Sequence, residues 1–278
     1  MIALSRPAAP LPFQAVEDGE SADTIRRKQR IIDEKKKLQH LVQQDAGKGA
    51  RPIETDFVRN IWSKQKHVLR RRQHSKCAYC EKHIAKLGDV EHYRPKAAVQ
   101  EPVDPGQRDD SQAEPPGRTM GPETRPGYWW LAYEWSNYLY ACPTCQRDWK
   151  RNSFPLKAPR ASMEPGCEAQ EDPLVLNPMD EDPSAHLRFD EFGQIHGLTE
   201  EGKTTIDRCG LDRQTLIDDR SRVAARLTCL CESLEEGLIG ADFFADELEK
   251  MMEDDAEFAG MCRDLARRWA KRALQSPT

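Results

Sequence analysis

Two cysteine pairs constrain this 278-residue chain more than any other feature of its sequence. They are Cys77-Ala-Tyr-Cys80 and Cys142-Pro-Thr-Cys145, and 61 residues lie between them. Each spacing puts two thiolates on one tight turn, and four thiolates about 2.3 Å from a tetrahedral Zn²⁺ make a closed structural site. The alternative is buried or redox-active cysteines. We expect a structural zinc ion that clasps two distant segments, with the other five cysteines as ordinary core or surface thiols.

The composition argues against a membrane protein. Charged residues make up 32% of the sequence and hydrophobic residues 38%, with a mean hydropathy of −0.80. No stretch approaches the roughly 18 uninterrupted apolar residues that a membrane span needs, and the first residues lack the pattern of a secretory signal. We therefore expect a cytoplasmic protein, in which nine cysteines favour metal binding over disulfides.

The formal net charge of −5 hides a division along the chain. Residues 21–96 contain 20 Lys and Arg against 9 Asp and Glu, a net charge of +11, whereas residues 161–278 carry a net charge of −14. Charged helices often serve only to keep a fold soluble. A basic first third and an acidic last third nevertheless suggest different partners for the two ends.

Hydrophobic periodicity predicts an α+β protein that is mostly helical. Helices are expected over residues 24–44, about 55–72, 204–238, 241–258 and 259–274. After residue 173, Asn-Pro, Asp-Pro and Phe-Gly steps indicate a hairpin. Seven aromatic residues within 128–140 favour a buried core. The proline-rich segment 101–127 is typical of a surface loop or a disordered insertion.

Two further segments accompany the cysteine pairs. The sequence DVEHYRPK (residues 89–96) follows the first pair, and Asn137 stands five residues before Cys142. A carboxylate beside a histidine can provide one ligand for a hard divalent cation and one base for a water molecule. The order CxxC, acidic-His-aromatic-x-Pro, Asn, CxxC resembles the HNH endonucleases, whose site is a ββα-metal finger, often clasped by a four-cysteine zinc.

The residues in and around these motifs resemble one bacterial subgroup of that family. CAYCE, VEHYRPK, WxNYLxACxxC and SFPL are similar to the HNH subunits that accompany an SMC-like or ABC-type ATPase in Septu-type antiphage systems and in a related retron system. The resemblance continues to about residue 226. It implies three regions: a basic helical region (1–76), an HNH nuclease core with the 101–127 insertion (77–157), and a hairpin followed by acidic helices (158–278).

The HNH resemblance implies a role for each motif residue. His92 matches the general base that takes a proton from the attacking water, Glu91 the acidic metal ligand, and Asn137 the residue that braces the loop and orients the base. The second metal ligand of the family is usually Asn or His, and this position holds Gln146, whose amide oxygen can still bind Mg²⁺ or Mn²⁺. Candidate substitutes for this ligand are Asp148 and Asn152. Candidates for holding phosphates are Arg94, Lys96, Lys150 and Arg151.

The implied activity is metal-dependent hydrolysis of nucleic-acid phosphodiester bonds, with DNA as the first expected substrate. The basic first third would follow the phosphate backbone, and the acidic helices would dock the ATPase partner. Two alternatives stay open. The same site can cleave RNA, tRNA included, or the chain can be a zinc-stabilised scaffold subunit whose nuclease site has decayed, with Gln146 as the visible sign.

Overall fold

The computed structural model describes residues 1–4, 8–17, 19–44, 51–84, 88–102, 120–160, 162 and 164–275. Within these ranges the protein is α+β, as the sequence predicts. Its α-helices are α1 (Ala22–Gln44), α2 (Asn60–Ser63), α3 (Lys66–Arg72), α4 (Glu200–Cys209), α5 (Gln214–Glu235), α6 (Ala241–Met252) and α7 (Ala259–Ala273). Its strands are β1 (Asp89–His92), β2 (Ala98–Pro102), β3 (Met120–Pro126), β4 (Tyr138–Ala141), β5 (Leu187–Phe189) and β6 (Ile195–Gly197). A π-helix spans Thr144–Lys150.

The basic region folds as one long helix and one broken helix. In α1, the apolar positions Ile31 and Leu38 are buried, whereas most of its lysines and arginines face solvent. The single helix predicted over residues 55–72 is instead divided into α2 and α3 by a turn. The break allows Trp62 of α2 and Leu69 of α3 to be buried in the same core. No helix among those described has the length and apolar character needed to cross a membrane.

The described strands form three antiparallel two-stranded sheets, β1–β4, β2–β3 and β5–β6. The β5–β6 pair is the hairpin predicted after residue 173. The ends of the proline-rich segment differ from the predicted loop, because β2 and β3 pair there, with Ala98 opposite Pro126. The backbone N–H of Gln100 in β2 also donates to the carbonyl of Asn152 over 3.1 Å. The rest of the predicted insertion, residues 103–119, lies outside the described residues.

The aromatic segment 128–140 supplies much of the core, as predicted. Five of its seven rings are buried, namely Tyr128, Tyr133, Trp135, Tyr138 and Tyr140. The C-terminal helices join this core at the π-helix, where Gly210 ends α4 with φ +58°. A β-carbon at Gly210 would lie 2.0 Å from the ring of Trp149, so only glycine permits this approach.

Candidate metal centre and active site

The four paired cysteines come together in space. Their sulfur atoms all lie within 4.8 Å of one another, and the Sγ atoms of Cys80 and Cys142 are 4.0 Å apart. A tetrahedral Zn²⁺ with bonds of about 2.3 Å separates its sulfurs by about 3.8 Å. Backbone N–H groups of Cys142 and Cys145 each donate to a cysteine sulfur over 3.4 Å. The predicted four-cysteine group is therefore confirmed, and it fits a single zinc ion.

One buried arginine faces this cysteine group from the C-terminal region. Arg213 immediately precedes α5, and its Nη1 and Nη2 atoms lie 3.5 and 3.6 Å from Cys145 Sγ. Nη1 also donates to the carbonyl of Gly210 over 2.8 Å, which fixes the guanidinium. Four thiolates and one Zn²⁺ carry a net charge of −2, and the cation of Arg213 offsets part of it. No spacing in the sequence marks an arginine 68 residues from its cysteine partner.

The first strand pair positions the histidine motif against the second cysteine segment. In β1 and β4, His92 lies opposite Tyr138, and Glu91 lies opposite Leu139. Asn137 directly precedes β4, and its carbonyl accepts the backbone N–H of Tyr93 over 2.9 Å. The π-helix that follows β4 then carries Gln146 back to β1. The structure thus places His92, Glu91, Asn137 and Gln146 on or against the β1–β4 pair.

His92 is held as a neutral imidazole. Its Nε2 lies 3.0 Å from the carbonyl oxygen of Ala132, and because a carbonyl only accepts, Nε2 carries the hydrogen. Burial lowers the pKa of His92 to about 3, and the positive charge of Lys96 acts in the same direction. The ring stands edge-on to Trp62 and Tyr138, with centroid distances of 4.8 and 5.2 Å. The Nδ1 lone pair takes no part in this bond, and the packing fixes the orientation of the ring.

Asn137 braces the turn that follows His92. Its Oδ1 accepts the backbone N–H of Arg94 over 2.8 Å, and its Nδ2 donates to the carbonyls of Arg94 and Leu131 over 3.0 and 3.2 Å. The side chain is buried, so these groups have no access to water as a replacement partner. The position of His92 therefore depends on Asn137.

Glu91 lies in the interior beside a lysine of the π-helix. Lys150 Nζ is 2.6 Å from Glu91 Oε1 and 3.4 Å from the carbonyl of His92. Both side chains are almost inaccessible to solvent. Burial raises the pKa of Glu91, and the ammonium of Lys150 opposes that rise. One carboxylate oxygen of the predicted metal ligand therefore already contacts a cation of the protein.

Gln146 presents an unsatisfied oxygen close to this pair. Its Nε2 donates to the carbonyl of Val90 over 3.2 Å, whereas its Oε1 is buried and has no hydrogen-bond partner among the described residues. Oxygen atoms of carboxylates and amides are the ligands that hard divalent cations prefer. Glu91 and Gln146 each carry an oxygen of the type that such a cation binds. Of the predicted substitutes, Asn152 instead hydrogen-bonds Gln100 over 3.3 Å.

The four cations predicted to hold phosphates lie in different environments. Arg94 and Lys150 are buried. Arg94 is paired with Glu171, and Lys150 with Glu91, so neither offers a free charge at the surface. Lys96 packs 5.3 Å from the ring centroid of Trp62 and pairs with exposed Glu54. Arg151 is exposed and directly follows the π-helix.

The sequence of this chain is similar to that of a known protein. The Septu protein PtuB from Bacillus mycoides (strain KBAB4) is 32% identical over 178 residues, which are 62% of this chain and 55% of PtuB. This chain is therefore similar to PtuB over that region. It spans about half the length of that curated relative. PtuB is a Septu protein, so the predicted resemblance to Septu-type proteins is confirmed. No protein-family model matches the chain.

Proposed function

We propose that this chain is a metal-dependent endonuclease of a Septu-type antiphage system, and that it hydrolyses nucleic-acid phosphodiester bonds, those of DNA in the first place. The observation that carries the proposal is the fixed ring of His92, whose Nε2 donates to Ala132 and which adjoins Glu91 in β1, the strand whose Val90 accepts the side-chain amide of Gln146. The order of β1, β4 and the π-helix, joined by four cysteines, supports an HNH-type finger.

The proposed general base is His92 Nδ1. The unprotonated Nδ1 of His92 would accept a proton from a water molecule at the scissile phosphate. The Nε2–H···O=C contact with Ala132 holds the required tautomer and stabilises the ring after it gains the proton. Trp62 and Tyr138 prevent the ring from turning, so the base keeps one direction of approach.

The remaining motif residues act as ligands and supports. Glu91 and Gln146 would hold the catalytic Mg²⁺ or Mn²⁺, which when bound neutralises charge on the phosphate during in-line attack. The ammonium of Lys150 favours the ionised form of the buried Glu91 carboxylate, against the effect of burial, and directs it. Asn137 fixes the backbone of Arg94 and thereby the end of β1. Among the predicted phosphate contacts, Lys96 and Arg151 keep this proposed role, because Arg94 and Lys150 are buried in ion pairs.

The Septu context suggests a protein partner. We propose that an SMC-like or ABC-type ATPase docks on the acidic last third, whose net charge of −14 disfavours a phosphate backbone. The basic helices α1 and α3 then remain for nucleic acid. This division assigns each end of the chain to the partner that its charge suits.

A specific observation favours a second function. The contact between Lys150 and Glu91 supplies the carboxylate with a cation from the chain itself, and Gln146 replaces the usual second ligand. These two features suit a zinc-stabilised scaffold subunit that no longer cuts nucleic acid. The scaffold function predicts one zinc per chain and no hydrolysis with any substrate.

A cleavage assay distinguishes these functions. The purified 278-residue chain, with and without a candidate SMC-like or ABC-type ATPase partner, is incubated with plasmid DNA, single-stranded DNA or tRNA, and with Mg²⁺, Mn²⁺ or no added cation. We expect cation-dependent nicking or cutting of plasmid DNA. Preferred cleavage of tRNA would instead identify an RNase that uses the same residues.

The decisive variant is His92→Ala, with His196→Ala as its control because the His196 side chain on β6 is 52% exposed. We expect His92→Ala to abolish cleavage and His196→Ala to retain it. Cleavage that survives in His92→Ala would contradict the proposed base. If the wild-type chain cuts no substrate even with the ATPase present, the scaffold function is correct.

A further inference from the structure

Three cations from three segments surround one carboxylate at the start of β1. Arg147 of the π-helix is paired with Asp89 Oδ2, Lys66 Nζ of α3 lies 3.0 Å from Oδ1, and Arg59, which precedes α2, lies 3.9 Å from Oδ2. Asp89 itself is only 16% exposed, whereas Arg59 and Arg147 are 72% and 58% exposed. We refer to Arg59, Lys66 and Arg147 as the cationic cluster.

The cationic cluster carries more charge than its carboxylate can balance. Three cations share Asp89, which leaves a net charge of +2 within the group. Exposed ion pairs contribute little to folding, about 0–1 kcal/mol each, so fold stability does not explain why three cations meet at this place. Such weakly held cations can transfer their contacts to another anion that approaches from solvent.

The cationic cluster adjoins the proposed active site on two sides. Arg147 directly follows Gln146 in the π-helix, and Asp89 begins the four-residue strand that ends at His92. The helix that follows Arg59 carries Trp62, which packs on His92. The cluster also continues toward α1, because Arg30 Nη2 donates to Asn60 Oδ1 over 2.8 Å. A basic surface therefore leads from α1 to the motif residues.

We propose, on the basis of the nuclease function proposed above, that the cationic cluster is a phosphate-binding track that holds the nucleic-acid backbone beside the scissile bond. The ligand chemistry is the phosphodiester, whose anionic oxygens replace Asp89 as partners of the three cations. Asp89 keeps the cations together when nucleic acid is absent and limits their affinity for it. No motif in the sequence groups these three residues, because they are scattered over 89 positions.

The test measures binding rather than cleavage. Full-length protein is titrated with a fluorescent duplex DNA at several salt concentrations, with no divalent cation added, and a tRNA series is measured in parallel. The triple variant Arg59→Ala/Lys66→Ala/Arg147→Ala should lower duplex affinity by roughly tenfold or more at 0.1 M salt and reduce the log–log salt slope by about 2. Selective loss of tRNA binding would identify RNA as the backbone bound.

A matched control comes from the acidic region. Arg222, Arg226 and Lys250 are 73%, 64% and 63% exposed, and each is paired with a carboxylate. The triple variant Arg222→Ala/Arg226→Ala/Lys250→Ala should leave duplex affinity unchanged. Equal losses in the two triple variants would overturn the proposed track, since general charge would then explain binding.

A second variant separates phosphate binding from a structural role. Asp89→Asn keeps the shape of the side chain and removes the one negative charge, so duplex affinity should rise, by up to roughly tenfold at 0.1 M salt. A weaker or unchanged affinity would contradict the proposal. Binding tests the phosphate-binding track, and cleavage tests the nuclease function. If the wild-type chain binds no nucleic acid, the proposed track is wrong. If it binds but does not cleave, only the proposed nuclease function is wrong.

Discussion

Lys150 Nζ lies 2.6 Å from Glu91 Oε1, and water has almost no access to either side chain. The two residues belong to different segments, since Glu91 lies in β1 and Lys150 ends the π-helix. Their ion pair therefore joins the histidine strand to the second cysteine segment. Removing one partner of such a pair leaves a charge in the interior without compensation.

Lys150→Met should strongly destabilise the protein, because Glu91 then keeps a buried charge or must take up a proton. We expect the free energy of unfolding to fall by about 3–5 kcal/mol, the usual cost of breaking a buried pair on one side. Urea denaturation measures this change. The double variant Glu91→Gln/Lys150→Met should recover most of the loss, because both charges are absent. Equal losses in the single and double variants would contradict this interpretation.

Asn137→Ala should affect both stability and cleavage. The substitution removes three hydrogen bonds and leaves the backbone N–H and carbonyl of Arg94 unsatisfied. Each unsatisfied buried group costs about 1–3 kcal/mol, and the end of β1 loses its brace. The midpoint temperature of thermal denaturation and the cleavage rate should therefore both decrease. Asn137→Asp retains the acceptor for Arg94 N–H and should be intermediate; a stable Asn137→Ala protein with full activity would contradict the bracing role.

Short-range sequence patterns predicted most of the helices and the cysteine pairs. The surroundings of the candidate site residues instead depend on contacts between residues far apart in the sequence. The cysteine spacing was sufficient for the four-cysteine group, because each pair is a short-range turn. The apolar periodicity likewise predicted α1 and the helical character of the C-terminal region, but the helix expected over residues 204–238 is divided into α4 and α5, and α6 ends at Met252. The β2–β3 pair was missed because its proline-rich composition is typical of a loop, and its backbone bond to Asn152 comes from another segment. The buried position of Lys150 was unpredictable for a similar reason, since it depends on the fold that surrounds Glu91.

Arg213 should control how firmly the cysteine group holds zinc. Its guanidinium donates toward Cys145 Sγ, and loss of a residue that contacts a metal ligand typically costs about 10–100-fold in metal affinity. We expect Arg213→Met to release zinc faster to a chelator, measured with a chromogenic zinc indicator. Arg222→Met, an exposed position on the same α5 helix, is the control. Identical release from Arg213→Met and wild type would show that the arginine does not support the site.

The Lys157–Glu201 pair should appear in the acid dependence of stability. The hydrogen bond from Lys157, together with Glu201's own backbone N–H and the Thr199 hydroxyl, lowers the pKa of Glu201 from 4.5 to about 2. The folded protein therefore holds the ionised carboxylate more firmly than the unfolded chain does. Its contribution is complete above about pH 4.5 and is lost as the pH falls toward 2.

Glu201→Gln removes this titration. The variant should be less stable than wild type at neutral pH, and the difference should shrink as the pH falls from 4.5 toward 2. Urea denaturation across this pH range measures the difference directly. Exposed Glu249 of α6 serves as the matched control, and Glu249→Gln should follow the wild-type acid dependence. A difference between Glu201→Gln and wild type that stays constant with pH would mean that the carboxylate is not held by Lys157, because only a group that titrates differently in the folded and unfolded chains makes stability depend on pH.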